Sequence, residues 1–285
     1  MRQKFSVWVV QPLNDSSPRC LIEVAAGVAL SLRRLGHEVA FDPGTGPYIS
    51  NPLPSGRPII FNAHRLPDIP LTDEAIIYNA EQVQQDKAWG ASSYLRLLRR
   101  HFVWDYSQVN IERLQCFGAD RMALCRVGYY PELSDVTPAS EDYDVLFAGS
   151  LNERRRQLLS DIALRRLRVR HIFDVYGAER NKWIARAKVV LNAHFYPNPI
   201  WEVFRVSQLL ANKKCVVSED GGCDPELEKL AQETTEYVPY DKIPEACSAL
   251  VANADRRREV AERGYEVFKK IDQVEEVRLA LERSL

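Results

Sequence analysis

Short apolar runs of strand length alternate along this chain with stretches whose apolar positions recur every three or four residues. Phe5-Ser-Val-Trp-Val-Val10 is rich in β-branched and aromatic side chains and predicts a buried strand. Gln11–Pro18 breaks it, with Ser16 or Ser17 as helix N-cap and Pro18 near the first turn. Leu21 to Leu35 keeps helical spacing, Gly36 stops it, and His37–Phe41 predicts the next strand, which opens a right-handed βαβ unit. Residues 42–57 are crowded with Pro and Gly and predict a loop. Pro58–Asn62 and Glu74–Tyr78 predict two further strands, each followed by a polar cluster: Asn62-Ala-His64-Arg65 and Asn79-Ala-Glu81-Gln82. Ser92–Arg100 predicts a helix, Phe102–Trp104 and Asp105–Asn110 read as strand-like, and a helix over Ile111–Phe117 closes at Gly118.

The pattern dissolves at Pro131–Asp142 into Glu, Ser, Asp, Thr and Pro, which predicts an interdomain linker. It restarts with a strand at Tyr143–Ala148, the pair Gly149-Ser150, and a helix from Glu153. Strands follow at Val169–Asp174, Lys188–Asn192 and Lys214–Ser218, with a helix over Ile200–Ala211 before the last of them. The charged tail from Ile243 predicts helix with a break at Gly264. Strands alternating with helices on this scale predict an α/β chain of two lobes, residues 1–138 and 139–285, each a mostly parallel sheet covered by helices.

Bulk properties narrow the chemistry. With 285 residues the chain is long enough for two cores, and 38 Lys+Arg against 39 Asp+Glu excludes a generally basic nucleic-acid binder. No apolar run approaches the roughly 20 residues that cross a bilayer. Met1-Arg2-Gln3-Lys4 runs straight into the first strand without a leader-like apolar segment, which predicts a cytoplasmic protein. Cys20, Cys116, Cys125, Cys215, Cys223 and Cys247 form no CxxC pair and lie at no zinc-ligand spacing, so they read as isolated thiols.

In open α/β sheets ligands bind beyond the carboxyl ends of the strands. Four such ends carry candidate chemistry. Gly149-Ser150-Leu151-Asn152-Glu153-Arg154-Arg155 ends a strand at a glycine and begins a helix, offering free N–H groups, the positive end of a dipole and two guanidinium forks to an anion. Asn192-Ala193-His194, with Tyr196 beyond it, leads into a helix start where Glu202 and Arg205 share one face. Tyr176 and Gly177 form a short turn that would border a base. In the first lobe Asp15, His64 and Glu81 are the strand-end candidates for a general base, and the choice among them stays open. Each also has a plain alternative as a solvated or core-satisfied side chain. The first turn, Gln11-Pro-Leu-Asn-Asp15, lacks GxGxxG, which argues against a dinucleotide oxidoreductase.

Over nearly its whole length the chain resembles the GT-B glycosyltransferase superfamily. The resemblance is carried by Tyr143–Arg155, Tyr176–Arg180, Ala185–His194 and Ile200–Glu219, and in the first lobe by Ile76–Val83 and Val103–Asn110. It implies two Rossmann-like lobes with C-terminal helices able to return to the first, and a nucleotide-diphosphate-sugar donor held by the second lobe. It also implies a glycan or other hydroxyl acceptor on the first lobe and no bound metal. By the same resemblance Gly149, Ser150, Asn152, Arg154 and Arg155 contact the diphosphate, and Glu202, Arg205 and Ser207 contact ribose and sugar, with His194 near the donor. The sequence departs from the paired glutamates of many retaining members: their positions hold Pro199 and Ser207. A nucleic-acid acceptor, as in phage-type DNA-base glycosyltransferases, and a non-catalytic nucleotide-binding module are the alternative readings.

Overall fold

The computed structural model describes residues 2–12, 15–41, 55–66, 71–195 and 199–284. Most of the loop expected over 42–57, and Tyr196 of the second cluster, lie outside the described residues.

The chain folds into two compact units, Met1–Gly128 with Asp272–Leu285, and Tyr129–Ile271. In the first, β1 (Lys4–Val9), β2 (Glu38–Ala40), β3 (Arg57–Phe61), β4 (Ile76–Asn79), β5 (Phe102–Asp105) and β6 (Met122–Leu124) pair in the order β2-β1-β3-β4-β5-β6. Every pair is parallel. Between them run α1 (Ile22–Arg34), α2 (Lys87–Gly90), α3 (Ser93–Arg100) and α4 (Gln108–Cys116). Parallel strands need crossover helices on their faces, and that is why Ile59-Ile60-Phe61 and Ile76-Ile77-Tyr78 are apolar without alternation: both faces are buried.

The second unit holds β7 (Tyr143–Ala148), α5 (Glu153–Leu164), β8 (Val169–Ile172), α6 (Gly177–Ala185), β9 (Ala187–Asn192), α7 (Val203–Ala211), β10 (Val216–Glu219), α8 (Pro225–Thr234), β11 (Glu236–Val238), α9 (Ile243–Ala252) and α10 (Ala254–Phe268). Its all-parallel sheet has the order β11-β10-β9-β7-β8. Phe147, Leu191 and Val217 on its strands pack with Leu158 and Ile162 of α5 and Cys247 and Leu250 of α9. A last helix, α11 (Gln273–Arg283), belongs to the first unit and packs on α1 and β6. Among the described residues no helix is long and apolar enough to cross a membrane.

Several local expectations give way. Asp105–Asn110 is not strand beyond Asp105, because Asp105 Oδ1 accepts the Ser107 amide at 2.9 Å and Ser107 Oγ accepts Asn110 N at 3.1 Å, which caps α4. Tyr176–Arg180 is the first turn of α6 rather than an isolated turn. Residues 131–142 are not a free tether: Leu133 is buried, Ser134 Oγ donates to Ala211 O at 2.9 Å, and Val136 N donates to Asn212 Oδ1 at 2.8 Å. The chain passes from one unit to the other at 128/129 and 271/272; the expected lobe boundary was 138/139, and the return of a C-terminal helix to the first lobe is the one the resemblance implied. Gly264 does not break a helix, since α10 runs through it. A Cβ built there would overlap the Thr234 carbonyl oxygen and press on Leu210 Cδ2 at 3.0 Å, so this glycine permits close approach of two segments.

Candidate functional site

The central strands β10, β9 and β7 bring three polar segments to one carboxyl edge of the second unit. At β7 the chain turns through Gly149 with φ +154°, a conformation that favours glycine. A Cβ at Gly149 would stand 3.5 Å from Arg205 Nη2, so the turn after β7 and the start of α7 adjoin directly. Asn152 then caps α5: its Oδ1 accepts Arg155 N at 2.9 Å, and its Nδ2 reaches the Phe195 carbonyl at 2.9 Å.

Arg154 and Arg155, neighbours in sequence, have different surroundings. Arg154 is 38% exposed and forms a two-pronged pair with Glu219 at the end of β10, one prong at 2.8 Å. Its guanidinium lies 3.8 Å from the Tyr240 ring centroid, and the Tyr240 hydroxyl donates to the Arg154 carbonyl at 2.8 Å. Glu219 holds this guanidinium charged, above its usual range. Arg155 is 2% exposed. Its Nε donates to Ala193 O at 3.1 Å, Nη2 donates to the same carbonyl, and Nη1 donates to Ser150 O at 2.9 Å. Phe147 and Phe195 stand on it at 5.1 Å each. Burial, reinforced by Arg205, pulls it down to about 10. Arg155 thus ties the β7 turn to the β9 turn. Arg156 is solvated beside Glu153.

His194 and Glu202 form the second element. Nδ1 of His194 meets Glu202 Oε2 at 3.0 Å, and its backbone N donates to Glu219 Oε2 at 2.9 Å. Burial opposes charge on the imidazole, but the Glu202 hydrogen bond and carboxylate prevail and raise its pKa. Burial likewise pushes the Glu202 carboxyl up, and His194, Arg205 and Arg155 together bring it below its ordinary value. Nε2 of His194 is buried and finds no hydrogen-bond partner among the described residues. Asn192 joins the parts: its Nδ2 donates to Glu202 Oε2 at 3.2 Å and to Ser218 Oγ at 3.1 Å, and its Oδ1 accepts from Arg205 at 3.3 Å. Beside Gly149 a cleft is lined by Ala148, Arg180, Ile184, Val190, Leu191, Arg205, Gln208 and Leu209.

Tyr176 and Gly177 stand beyond the carboxyl end of β8, the edge strand next to β7. Ser207 is 1% exposed and its hydroxyl turns back to Phe204 O at 3.4 Å. Sequence reasoning passed over Glu219 and Tyr240. The strand-end rule that singled out Asn192 also applies to Glu219, whereas Tyr240 arrives through a tertiary contact with no local signal.

In the first unit the three base candidates share one edge. Asn62, with φ 59°, anchors its side chain on Val10 O at 2.6 Å and starts the single turn Ala63–Arg65 that carries His64. His64 Nδ1 lies 3.6 Å from Glu81 Oε1, and Arg65 pairs with Asp15 at 3.7 Å. Burial first, then Arg65, lower the His64 pKa against the opposing pull of Glu81 and Asp15. Hydrogen bonds from Ser17 hold Asp15 below the usual carboxylate range. Among the described residues no three His, Cys, Asp or Glu side chains gather as a metal cluster, and no disulfide joins any two of the six cysteines.

Residues 133–273 match the family described as "Glycosyl transferase-like". The uncharacterized protein L140 of Acanthamoeba polyphaga mimivirus is 30% identical over 129 residues, 45% of this chain. That match spans 40% of the relative's own length. Among solved structures, Anabaena HepE in complex with UDP and glucose has a TM-score of 0.62 at 12% identity, covering 99% of each chain. A DNA-modifying β-glucosyltransferase, solved with and without uridine diphosphoglucose, gives 0.54 at 13% identity, also over 99% of each. The chain has the GT-B fold, and residues 133–273 form its glycosyl transferase-like part.

Proposed function

We propose that the chain moves a sugar from a nucleoside-diphosphate sugar, held on the carboxyl edge of the second unit, to a hydroxyl of a surface glycan. The observation that carries this reading is the edge itself: the open turn at Gly149, the N-terminus of α5, and the guanidinium groups of Arg154 and Arg205 gather on β7, β9 and β10. A helix N-terminus and two cations suit a diphosphate, and they take up the negative charge that grows on it as the sugar–phosphate bond breaks. In this reading Arg154 exchanges Glu219 for phosphate, and no bound metal is needed. Glu202 and His194 orient ribose or sugar hydroxyls, Tyr176 and Gly177 border the base, and Arg155 fixes the two turns. In the first unit His64, neutral near pH 7 because its pKa is depressed, takes the acceptor's proton as the new glycosidic bond forms, and Glu81 steadies the resulting cation. Six cysteines with no disulfide between them agree with work in the cytoplasm.

Isothermal titration with uridine, guanosine, cytidine and adenosine diphosphates tests the donor half. One of them should bind, and Arg154→Ala should weaken it about 10- to 100-fold, the worth of a lost charge-assisted fork. If none of the four binds wild-type protein, the reading fails.

The likeness to the DNA-modifying glucosyltransferase favours a second reading, with a duplex base as acceptor. A net charge of −1 weighs against it. Filter binding of duplex DNA at low and high salt separates the two.

A further inference from the structure

The first unit contains a carboxylate that the proposed mechanism does not use. Asp105, at the end of β5, is fully buried. Its oxygens accept from Asn79 Nδ2 at 2.6 Å, from Ser107 N at 2.9 Å and from Asn110 Nδ2 at 3.2 Å. A carboxylate accepts and never donates, so it forces both amides to present their NH2 groups inward. The consequence is felt at residue 81. Asn79 Nδ2 also donates to Glu81 O at 3.0 Å, and its Oδ1 accepts Glu81 N at 3.2 Å. Asn110 Nδ2 donates to the same carbonyl at 2.9 Å, and its Oδ1 accepts Val83 N at 2.9 Å. The Tyr94 hydroxyl completes the frame by donating to Asn79 Oδ1 at 2.9 Å, and the Tyr94 ring meets the His64 ring edge-on at 5.4 Å.

We infer that Asp105 is the positioning residue of the acceptor side: by fixing the amide orientation of Asn79 and Asn110 it clamps the backbone of Glu81, and so sets the Glu81 carboxylate against His64. The role of the His64–Glu81 pair in sugar transfer rests on the function proposed above; the clamp itself does not. A buried network in which each member is satisfied holds one geometry, and a single reversed amide propagates through it. In Asp105→Asn the new NH2 meets donors, so at least one neighbouring amide must flip. When Asn79 flips, its oxygen is lost to both Tyr94 and Glu81.

The experiment follows the His64 ring protons by NMR titration in wild type, Glu81→Gln, Asp105→Asn and Tyr94→Phe, with donor hydrolysis of UDP-glucose measured alongside. The groups facing His64 are Glu81 from the turn after β4, Asp15 beyond β1, the Tyr94 ring on α3, and Arg65 beside it. Removing the Glu81 charge lowers the His64 midpoint. Asp105→Asn should lower it in the same direction, with Tyr94→Phe, which leaves packing intact, following by a smaller amount. Turnover should fall about tenfold or more in Asp105→Asn with UDP-glucose affinity unchanged within about twofold, because positioning and not donor binding is lost. If Asp105→Asn is folded and titrates His64 as wild type does while Glu81→Gln shifts it, the clamp does not position Glu81 and the inference falls. It falls equally if Glu81→Gln leaves His64 unmoved. If wild type fails to hydrolyse UDP-glucose, that bears on the proposed function alone, and the titration still decides the clamp.

Discussion

Replacing Arg155 by Met distinguishes a diphosphate ligand from the strut between two turns. The substitution deletes three N–H donations, two to the Ala193 carbonyl and one to that of Ser150. Hydrogen bonds from a charged donor contribute ~1.5–3 kcal/mol each, and the Ala193 carbonyl stays buried without a replacement while exposed Ser150 turns to water. Against this, holding the guanidinium charged where its pKa is only about 10 already costs on the order of 3 kcal/mol, which the neutral side chain relieves. Met also fills much of the space between Phe147 and Phe195. The net expectation is a loss of ~2–5 kcal/mol. The transition that carries the second unit should move down by roughly 10 °C, at ~2–4 °C per kcal/mol for a chain of this size. Urea unfolding followed by tryptophan fluorescence measures the loss, and nucleotide titration well below the midpoint measures binding by the folded fraction. Binding should weaken modestly, through the shifted Ser150 and Ala193 turns. The reasoning is refuted if Arg155→Met unfolds with wild type while nucleotide affinity drops more than tenfold, for then the buried guanidinium would be a ligand and not a tie.

Gly264→Ala gains up to ~1 kcal/mol of helix propensity in α10 but drives a methyl into the Thr234 carbonyl, where overpacking costs ~1–3 kcal/mol or more; calorimetry should therefore show a lower melting temperature, and a higher one would show that α10 moves away freely. The His194–Glu202 pair predicts a pH signature. His194 is raised from 6.5, so its stabilisation is fully present below that value and is lost as pH rises through the folded pKa. Glu202 is lowered from 4.5, so its share is present above that value and is lost as pH falls through the folded one. The stability gap between wild type and Glu202→Gln should be widest between pH 4.5 and 6.5; a gap that does not vary with pH contradicts the pairing.

The fold was readable because parallel strands buried on both faces write themselves as unbroken apolar runs, as at Ile59–Phe61 and Val145–Phe147. Short edge pieces such as β6 and β11 were not, since Met122–Leu124 and Glu236–Val238 are only partly buried and carry little pattern. Asp105–Asn110 misled for a definite reason: Tyr106 and Val109 look like strand residues, while Ser107 between them acts as a cap. The candidate site was legible as far as strand ends and helix starts are, hence the expectation of Gly149, Asn192–His194, Glu202 and the three first-unit candidates. Which of Arg154 and Arg155 faces outward was not legible, because adjacent helical residues point about 100° apart and the sequence alone does not fix the phase. Gly264 was misread because a glycine that ends a helix and one that lets a helix touch a carbonyl look alike in one dimension.

The return of the chain to its first unit reverses the order in which the halves can mature. The covering of α1 and β6 waits for Val277, Ala280 and Leu281 of α11, which is translated after the whole second unit. The second unit needs nothing beyond Ile271, whose carbonyl accepts the amide of Tyr129 at 2.7 Å and so closes its two ends on each other. During synthesis the half translated later is thus the one that can finish first, while the nascent N-terminal sheet stays partly uncovered and most in need of a chaperone.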